Sequence, residues 1–277
     1  MKNNTQKIGQ HKEHLQDIQN SEDQRGLEID KVGVCDLCYP ITVLDRQKEK
    51  QHTIAQITMS VNLPHNFKGT HMSRFISVLN QHRGEITMRT LPTVLEELKL
   101  KLKAESAHIE VSFPYMIEKT APISHEKGLM YYDCRFAAES NSKTKDFILN
   151  VAVPITSLCP CSKAISDYGA HNQRGIIEIS IRTYSDNTEN YRLVWIEELI
   201  ELAEQSASSP VYPILKRTDE RHVTMQAYDN PMFVEDIVRN VAMRLNIDPR
   251  ISWFSVRVVN QESIHNHSAF AQIERKK

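Results

Sequence analysis

The feature that most constrains this chain is the order in which two hydrophobic periods alternate along it. Eight segments carry the β-branched, partly alternating pattern of strands: residues 32–44, 52–63, 107–117, 128–139, 146–158, 175–184, 251–262 and 268–276. Four others carry apolar residues at helical spacing: 70–82, 91–104, 194–205 and 231–245. In THMSRFISVLNQH, Met72, Phe75, Ile76 and Leu79 fall on one face, and Pro92 opens the next helix where a missing N–H costs nothing. The order is strand, strand, helix, helix, strand, strand, and it occurs twice. The pattern predicts an α+β protein of two ββααββ units in tandem, each an antiparallel sheet with its two helices on one face. The expected division is a mobile polar arm over 1–30, a first unit over 31–140 and a second over 141–277.

Charge narrows the function classes. The 34 basic and 35 acidic side chains nearly cancel, leaving a formal net charge of −1. A general nucleic-acid binder needs a basic excess, so none is expected, although a local basic pocket for an anion remains open. No run approaches the about 18 apolar residues that cross a membrane. The polar start, MKNNTQKIGQHKEHLQDIQN, does not read as a signal peptide, so a cytoplasmic location is expected. The five cysteines, an odd number, are then expected to be thiols or metal ligands rather than a disulfide framework.

Five stretches can carry chemistry. In TSLCPCSKAISDYGAHNQRG (156–175), Cys159 and His171 are a soft thiolate and an imidazole that could share a metal ion; Cys159 and Cys161 could equally be small buried hydrophobes. In GVCDLCYP, Cys35 and Cys38 lie three apart in a strand, so they are expected on opposite faces and not as a pair; Cys134, also in a strand, is read as packing. In NQESIHNHSA, His265 and His267 are two apart and point the same way in an extended segment, open to ligand or acid/base roles or to a solvated turn. In LKRTDER, Glu220 lies in a charged loop, while Glu235 borders the apolar arc of its helix beside Val238 and Ala242. Partly buried there, Glu235 could take the paired N–H donors of a guanine-type ring, or it could simply pair with Arg239. In NFKGTHMSRF, Lys68, His71 and Arg74 gather at a helix start, where phosphate binds well, and Thr70 could be an ordinary cap.

Together KGTHMSRF, SLCPCSKAISDYGAHNQRG, LKRTDER, AYDNPMFVEDIVR and NQESIHNHSA resemble the type IB GTP cyclohydrolase I enzymes of folate biosynthesis. The resemblance runs from about residue 18 to the C-terminus and departs at Thr218, where a proline is common. It implies a tunnelling fold (T-fold) with two ββααββ units per chain, and a homotetramer with active sites at subunit interfaces. The implied reaction converts GTP and water to formate and 7,8-dihydroneopterin triphosphate. The implied metal ligands are Cys159, His171 and Glu220, holding a divalent ion (zinc, with manganese or iron as alternatives). Glu235 would anchor the guanine, His265 would move protons with His267 as companion, and Lys68, His71, Arg74, Lys163, Arg174 and Lys216 are candidates for the triphosphate. The competing readings are another pterin or purine enzyme of that fold and a non-catalytic metal-binding protein.

Overall fold

A computed structural model describes residues 17–82, 85–184 and 192–277. The first half runs β1 (Ile29–Asp45), β2 (Glu49–Leu63), α1 (Met72–Gln81), α2 (Leu91–Leu102), β3 (Ala107–Thr120) and β4 (Lys127–Ser140). The second runs β5 (Lys145–Leu158), α3 (Pro160–Ile165), β6 (Asn172–Thr183), α4 (Ile196–Glu204), β7 (Ser209–Pro210), α5 (Arg217–Asp229), α6 (Val234–Ile247), β8 (Ile251–Gln261) and β9 (Ser268–Lys276). Of the expected arm, residues 1–16 lie outside the described residues. Gly69 N–H donates to Gln19 O and Lys68 N–H to Ser21 O, both at 3.1 Å, tying that part of the chain to the segment before α1.

The expectation of a tandem T-fold, two ββααββ units each with its own sheet, is corrected. The strands form one continuous antiparallel sheet in the order β1-β2-β3-β4-β5-β6-β8-β9, with β7 paired to β5. The physical reason is the junction: β4 and β5 pair from Asp133↔Ala152 to Ser140↔Lys145, leaving no free edge between the halves. Alternation along one strand says which face is buried but not which strand lies beside it. Nor is the second half a ββααββ unit, since α3 separates its first two strands and β7 and α5 lie between α4 and α6. Side chains of period two from every long strand but β9, such as Ile57, Val111, Cys134, Val151, Ile179 and Val256, are buried on one face beneath Phe75, Leu98, Leu199 and Val241 of the helices, and Ala269, Ala271 and Ile273 of β9 are partly buried against them. The other face leaves Ile54, Leu129, Tyr131, Ile176 and Phe270 exposed.

Continuous pairing also fixes the two ends of the sheet. Leu63, Ala107, Ser140 and Lys145 lie at one end, and Leu158, Asn172, Gln261 and Ser268 at the other. The charged stretch DER around Glu220, expected as a loop, lies in the first turns of the helix α5, RTDERHVTMQAYD. Its few apolar residues hide the helical period, but Asp219 and Glu220 in the first turn are an N-terminal signal. Asp219 is fully buried. It accepts from Lys216 N at 2.8 Å, Ile123 N at 2.7 Å, Ser124 N at 2.8 Å and Ser124 Oγ at 2.6 Å, which ties α5 to the β3–β4 turn.

Burial pulls the Asp219 pKa up, but the Ser124 hydroxyl and the N–H groups of Ser124, Lys216 and Ile123 outweigh it, so the carboxyl titrates well below its ordinary 3.8. A depressed carboxylate contributes stability that is complete above the unfolded value and is lost as pH falls through the folded one. Asp219→Asn is therefore expected to lower stability at neutral pH and to flatten the loss of stability below about pH 4, checked by urea midpoints across pH.

Candidate functional site

Cys159 and His171 flank the β5–β6 hairpin. The last paired residues are Leu158 and Asn172, and beyond them Cys159 N–H donates to His171 O at 3.1 Å. Twelve positions apart in sequence, the two residues are neighbours because the hairpin register closes on them. Pro160 at the first helical position starts α3, and Cys159 caps it: Cys159 Sγ accepts from Ser162 N at 3.4 Å. A six-residue helix is too short to read from periodicity.

The His171 ring is held from one side. Its Nδ1 lies 2.9 Å from Gln173 Oε1, 3.5 Å from Ser263 Oγ and 4.0 Å from Glu262 Oε2. Gln173 Oε1 can only accept, so Nδ1 is the donor in this contact, which in the neutral ring leaves the lone pair on Nε2. Gln173 is in turn part of a buried hub. Ser157 Oγ accepts from Gln173 Nε2 at 3.3 Å and from Asn260 Nδ2 at 2.9 Å, and donates to Met232 O at 2.9 Å. Ser157 is 0% exposed, Asn260 1% and Gln173 7%. A side chain at Gly175 would put its Cβ 2.4 Å from Asn260 Oδ1, so glycine is what lets Asn260 reach the hub. Met232 N–H donates to Leu158 O at 3.0 Å, which brings the start of α6 to the same place.

The remaining expected residues divide by their end of the sheet. Glu235 stands in the first turn of α6, but it is exposed rather than partly buried. Arg239 reaches Asp236 at 4.0 Å instead of Glu235, because Asp236 is the acidic residue turned toward it. His265 and His267 sit in the β8–β9 turn with rings stacked at 5.0 Å, and Glu262 and Ser263 of that turn touch His171. Lys163 Nζ is 4.3 Å from the Tyr228 ring centre and donates to Tyr228 O, docking α3 on the end of α5. Lys216 faces Glu126 at 3.6 Å, and Arg174 is exposed on the face of β6 opposite Gln173.

Glu220 is exposed on α5, eight residues before Tyr228 or about 12 Å along the helix axis. Among the described residues no three His, Cys, Asp or Glu side chains are grouped to hold a metal ion. Lys68, His71 and Arg74 follow the end of β2, at the far end of the sheet from Cys159. There His71 Nε2 lies 3.2 Å from Asp17 Oδ1, and Arg74 donates to Lys101 O at 3.0 Å.

Ser157, Gln173, Asn260 and Glu262 lie inside the stretches SLCPCSKAISDYGAHNQRG and NQESIHNHSA, but sequence reasoning gave them no role. The one signal available was period two, which sets Gln173 on the same face as His171.

Two sets of likenesses bear on this arrangement. The fold is that of solved uricases. That from Arthrobacter globiformis matches with a TM-score of 0.52 at 8% identity over 90% of this chain and 93% of that one. That from Bacillus fastidious matches with 0.53 at 10% identity over 91% and 94%. At such identity the likeness defines a class, the large antiparallel sheet with helices on one face, and nothing finer. A family model described as Type I GTP cyclohydrolase FolE2 matches residues 15–271, and the chain belongs to that family. GTP cyclohydrolase FolE2 of Syntrophotalea carbinolica is 54% identical over 260 residues, 94% of this chain and 95% of its own. GTP cyclohydrolase FolE2 of Syntrophus aciditrophicus is 55% identical over 259 residues, 94% and 99%.

Ser157→Ala is expected to destabilise the protein by about 2–3 kcal/mol, because it leaves three buried polar groups without a partner. The check is urea denaturation, with a wild-type midpoint for the variant as the contrary result.

Proposed function

We propose that this protein is a type IB GTP cyclohydrolase I, which hydrolyses GTP to formate and 7,8-dihydroneopterin triphosphate at the start of folate synthesis. Family membership supports the GTP cyclohydrolase activity. The observation that carries the site is the closing of the β5–β6 hairpin on Cys159 and His171, with Nδ1 of His171 already engaged.

These two residues fit a divalent metal such as zinc, manganese or iron. A thiol that already accepts an N–H and an imidazole that turns Nδ1 to Gln173 Oε1 are suitable donors, and an acceptor on the other ring nitrogen fixes the orientation of a metal-binding histidine. Glu220, at the same end of the sheet, is the third ligand in this reading. Bound there, the ion supplies Lewis acidity that makes water a stronger nucleophile near neutral pH. The chain's residues do the rest. Glu235, free of Arg239 and exposed at the first turn of α6, accepts the paired N–H donors of the guanine and sets the purine C8 toward the β5–β6 turn. His265 in the adjoining turn moves the protons as the imidazole ring opens and formate leaves, with His267 stacked behind it. Lys163, Arg174 and Lys216 lie at this end and can meet phosphate. Lys68, His71 and Arg74 are a strand length away, roughly 40 Å for a 14-residue strand, so in this reading they serve the site of a neighbouring chain in a homotetramer.

Purified protein incubated with GTP and a divalent metal should release formate and give a fluorescent pterin on oxidation; metal bound with neither product would contradict this function and favour the non-catalytic reading. Cys159→Ala should lose bound metal and turnover together, measured by metal analysis and rate. Glu235→Gln should raise KM about tenfold or more with metal content unchanged, the loss of one charge-assisted contact. His265→Ala should keep its metal, lower kcat on the order of 10²-fold and change the pH–rate profile. An unchanged profile would remove His265 as the proton carrier.

A further inference from the structure

Cys35 and Cys38 are not on opposite faces of β1. The pairing of β1 with β2 runs Gly33↔Ser60 and Val34↔Met59, then resumes at Leu37↔Ile57 and Cys38↔Gln56. Cys35 and Asp36 together face the single residue Thr58, which makes a β-bulge. Asp36 takes the left-handed conformation with φ 58°, a region an aspartate visits more readily than most residues. Met59 and Ile57 are fully buried beneath the helices, so Val34 and Leu37 share that side. Cys35 follows Val34 and Cys38 follows Leu37, so both thiols turn to the uncovered face, and both are exposed. The bulge inserts one residue and thereby converts a spacing of three into a spacing of two.

We propose that Cys35 and Cys38 form a two-thiolate site for a soft, thiophilic cation, monovalent copper foremost, on the uncovered face of the edge strand β1. Their partners on β2, Thr58 and Gln56, are two residues apart, which sets the thiols about 7 Å apart at the backbone. A disulfide needs Cβ atoms within about 3.5–4.5 Å, closer than a strand period allows. Two metal–sulfur bonds of about 2.3 Å each span the larger gap as the sulfurs swing inward. Thiolates select soft ions, and a pair of them suits an ion content with two ligands.

Cys35 Sγ donates to Asp36 Oδ2 at 3.0 Å, and this bond with the aspartate charge raises the thiol pKa. Cys35 is thus held in its thiol form when the site is empty. On binding, each thiol releases its proton to solvent and no electron is transferred. Neither cysteine belongs to the site around Cys159, so this inference stands apart from the proposed activity.

The test is a titration of the reduced full-length protein with monovalent copper under anaerobic conditions, against bicinchoninate as competitor. Wild type should take up one more ion per chain than a Cys35→Ser/Cys38→Ser double variant, and either single variant should lose that ion. The other cysteines are common to all these proteins and cancel in the difference. Trypsin cuts after Lys31 and Arg46, releasing VGVCDLCYPITVLDR, which holds these two cysteines and no others. In the loaded wild type both thiols of that peptide should resist iodoacetamide. Equal copper uptake by wild type and double variant would overturn the proposal. So would recovery of the peptide lighter by two hydrogens after exposure to oxidised glutathione, since the thiols would then lie close enough for a disulfide.

Discussion

The antiparallel pairing of β4 with β5 is the constraint on which the rest of the molecule depends. It joins the two halves of the chain from Asp133↔Ala152 to Ser140↔Lys145 and makes one sheet of what could have been two. Because every neighbour in that sheet is antiparallel, each turn is assigned to one end or the other with no freedom left. The β3–β4, β5–β6 and β8–β9 turns share an end, and the segment leading into α1 leaves from the other. Which side chains can meet within a single chain is settled by that arithmetic before any side chain is placed.

At the shared end, the site rests on backbone closure and on one buried hydroxyl. The hairpin register sets Cys159 against His171, and Ser157 ties β6 through Gln173, β8 through Asn260 and the entry to α6 through Met232. Loops are usually the mobile part of a fold. Here the turns that carry the candidate site residues are anchored to the buried Ser157, Gln173 and Asn260, and loss of the Ser157 hydroxyl would leave three donors and acceptors unsatisfied. Asp219 does the same for α5 by holding the β3–β4 turn. A site that must hold donors in fixed directions gains from supports of this kind.

Much of this was legible in the sequence, and the parts that were not share a cause. The eight long strands and the helices α1, α2, α4 and α6 follow from side-chain period, because a buried face imposes that period on the residues. The joining of β4 to β5 was invisible, since the same alternation satisfies a strand at an edge or in the middle. α5 was missed because its surface is mostly polar, leaving too few apolar residues to show a period. The bulge at Cys35–Asp36 was missed because one inserted residue resets the alternation without any change in composition, and it reversed the reading of the two cysteines. Cys159, His171, Glu235 and His265 were singled out through the stretches that carry the family resemblance. Ser157, Gln173 and Asn260 lie in the same stretches but were given no role, because they act by what they touch, and contacts between β5, β6 and β8 are set by pairing rather than by spacing.

The central claim is that the site around Cys159 is completed by basic residues which, within one chain, lie at the opposite end of the sheet. Mixing two impaired proteins tests it most directly. Cys159→Ala chains keep Lys68, and Lys68→Glu chains keep Cys159; each alone should be impaired, and the co-refolded mixture should recover activity through sites drawing one residue from each chain. A mixture no more active than its components, or a Lys68→Glu protein with full activity, would contradict the account.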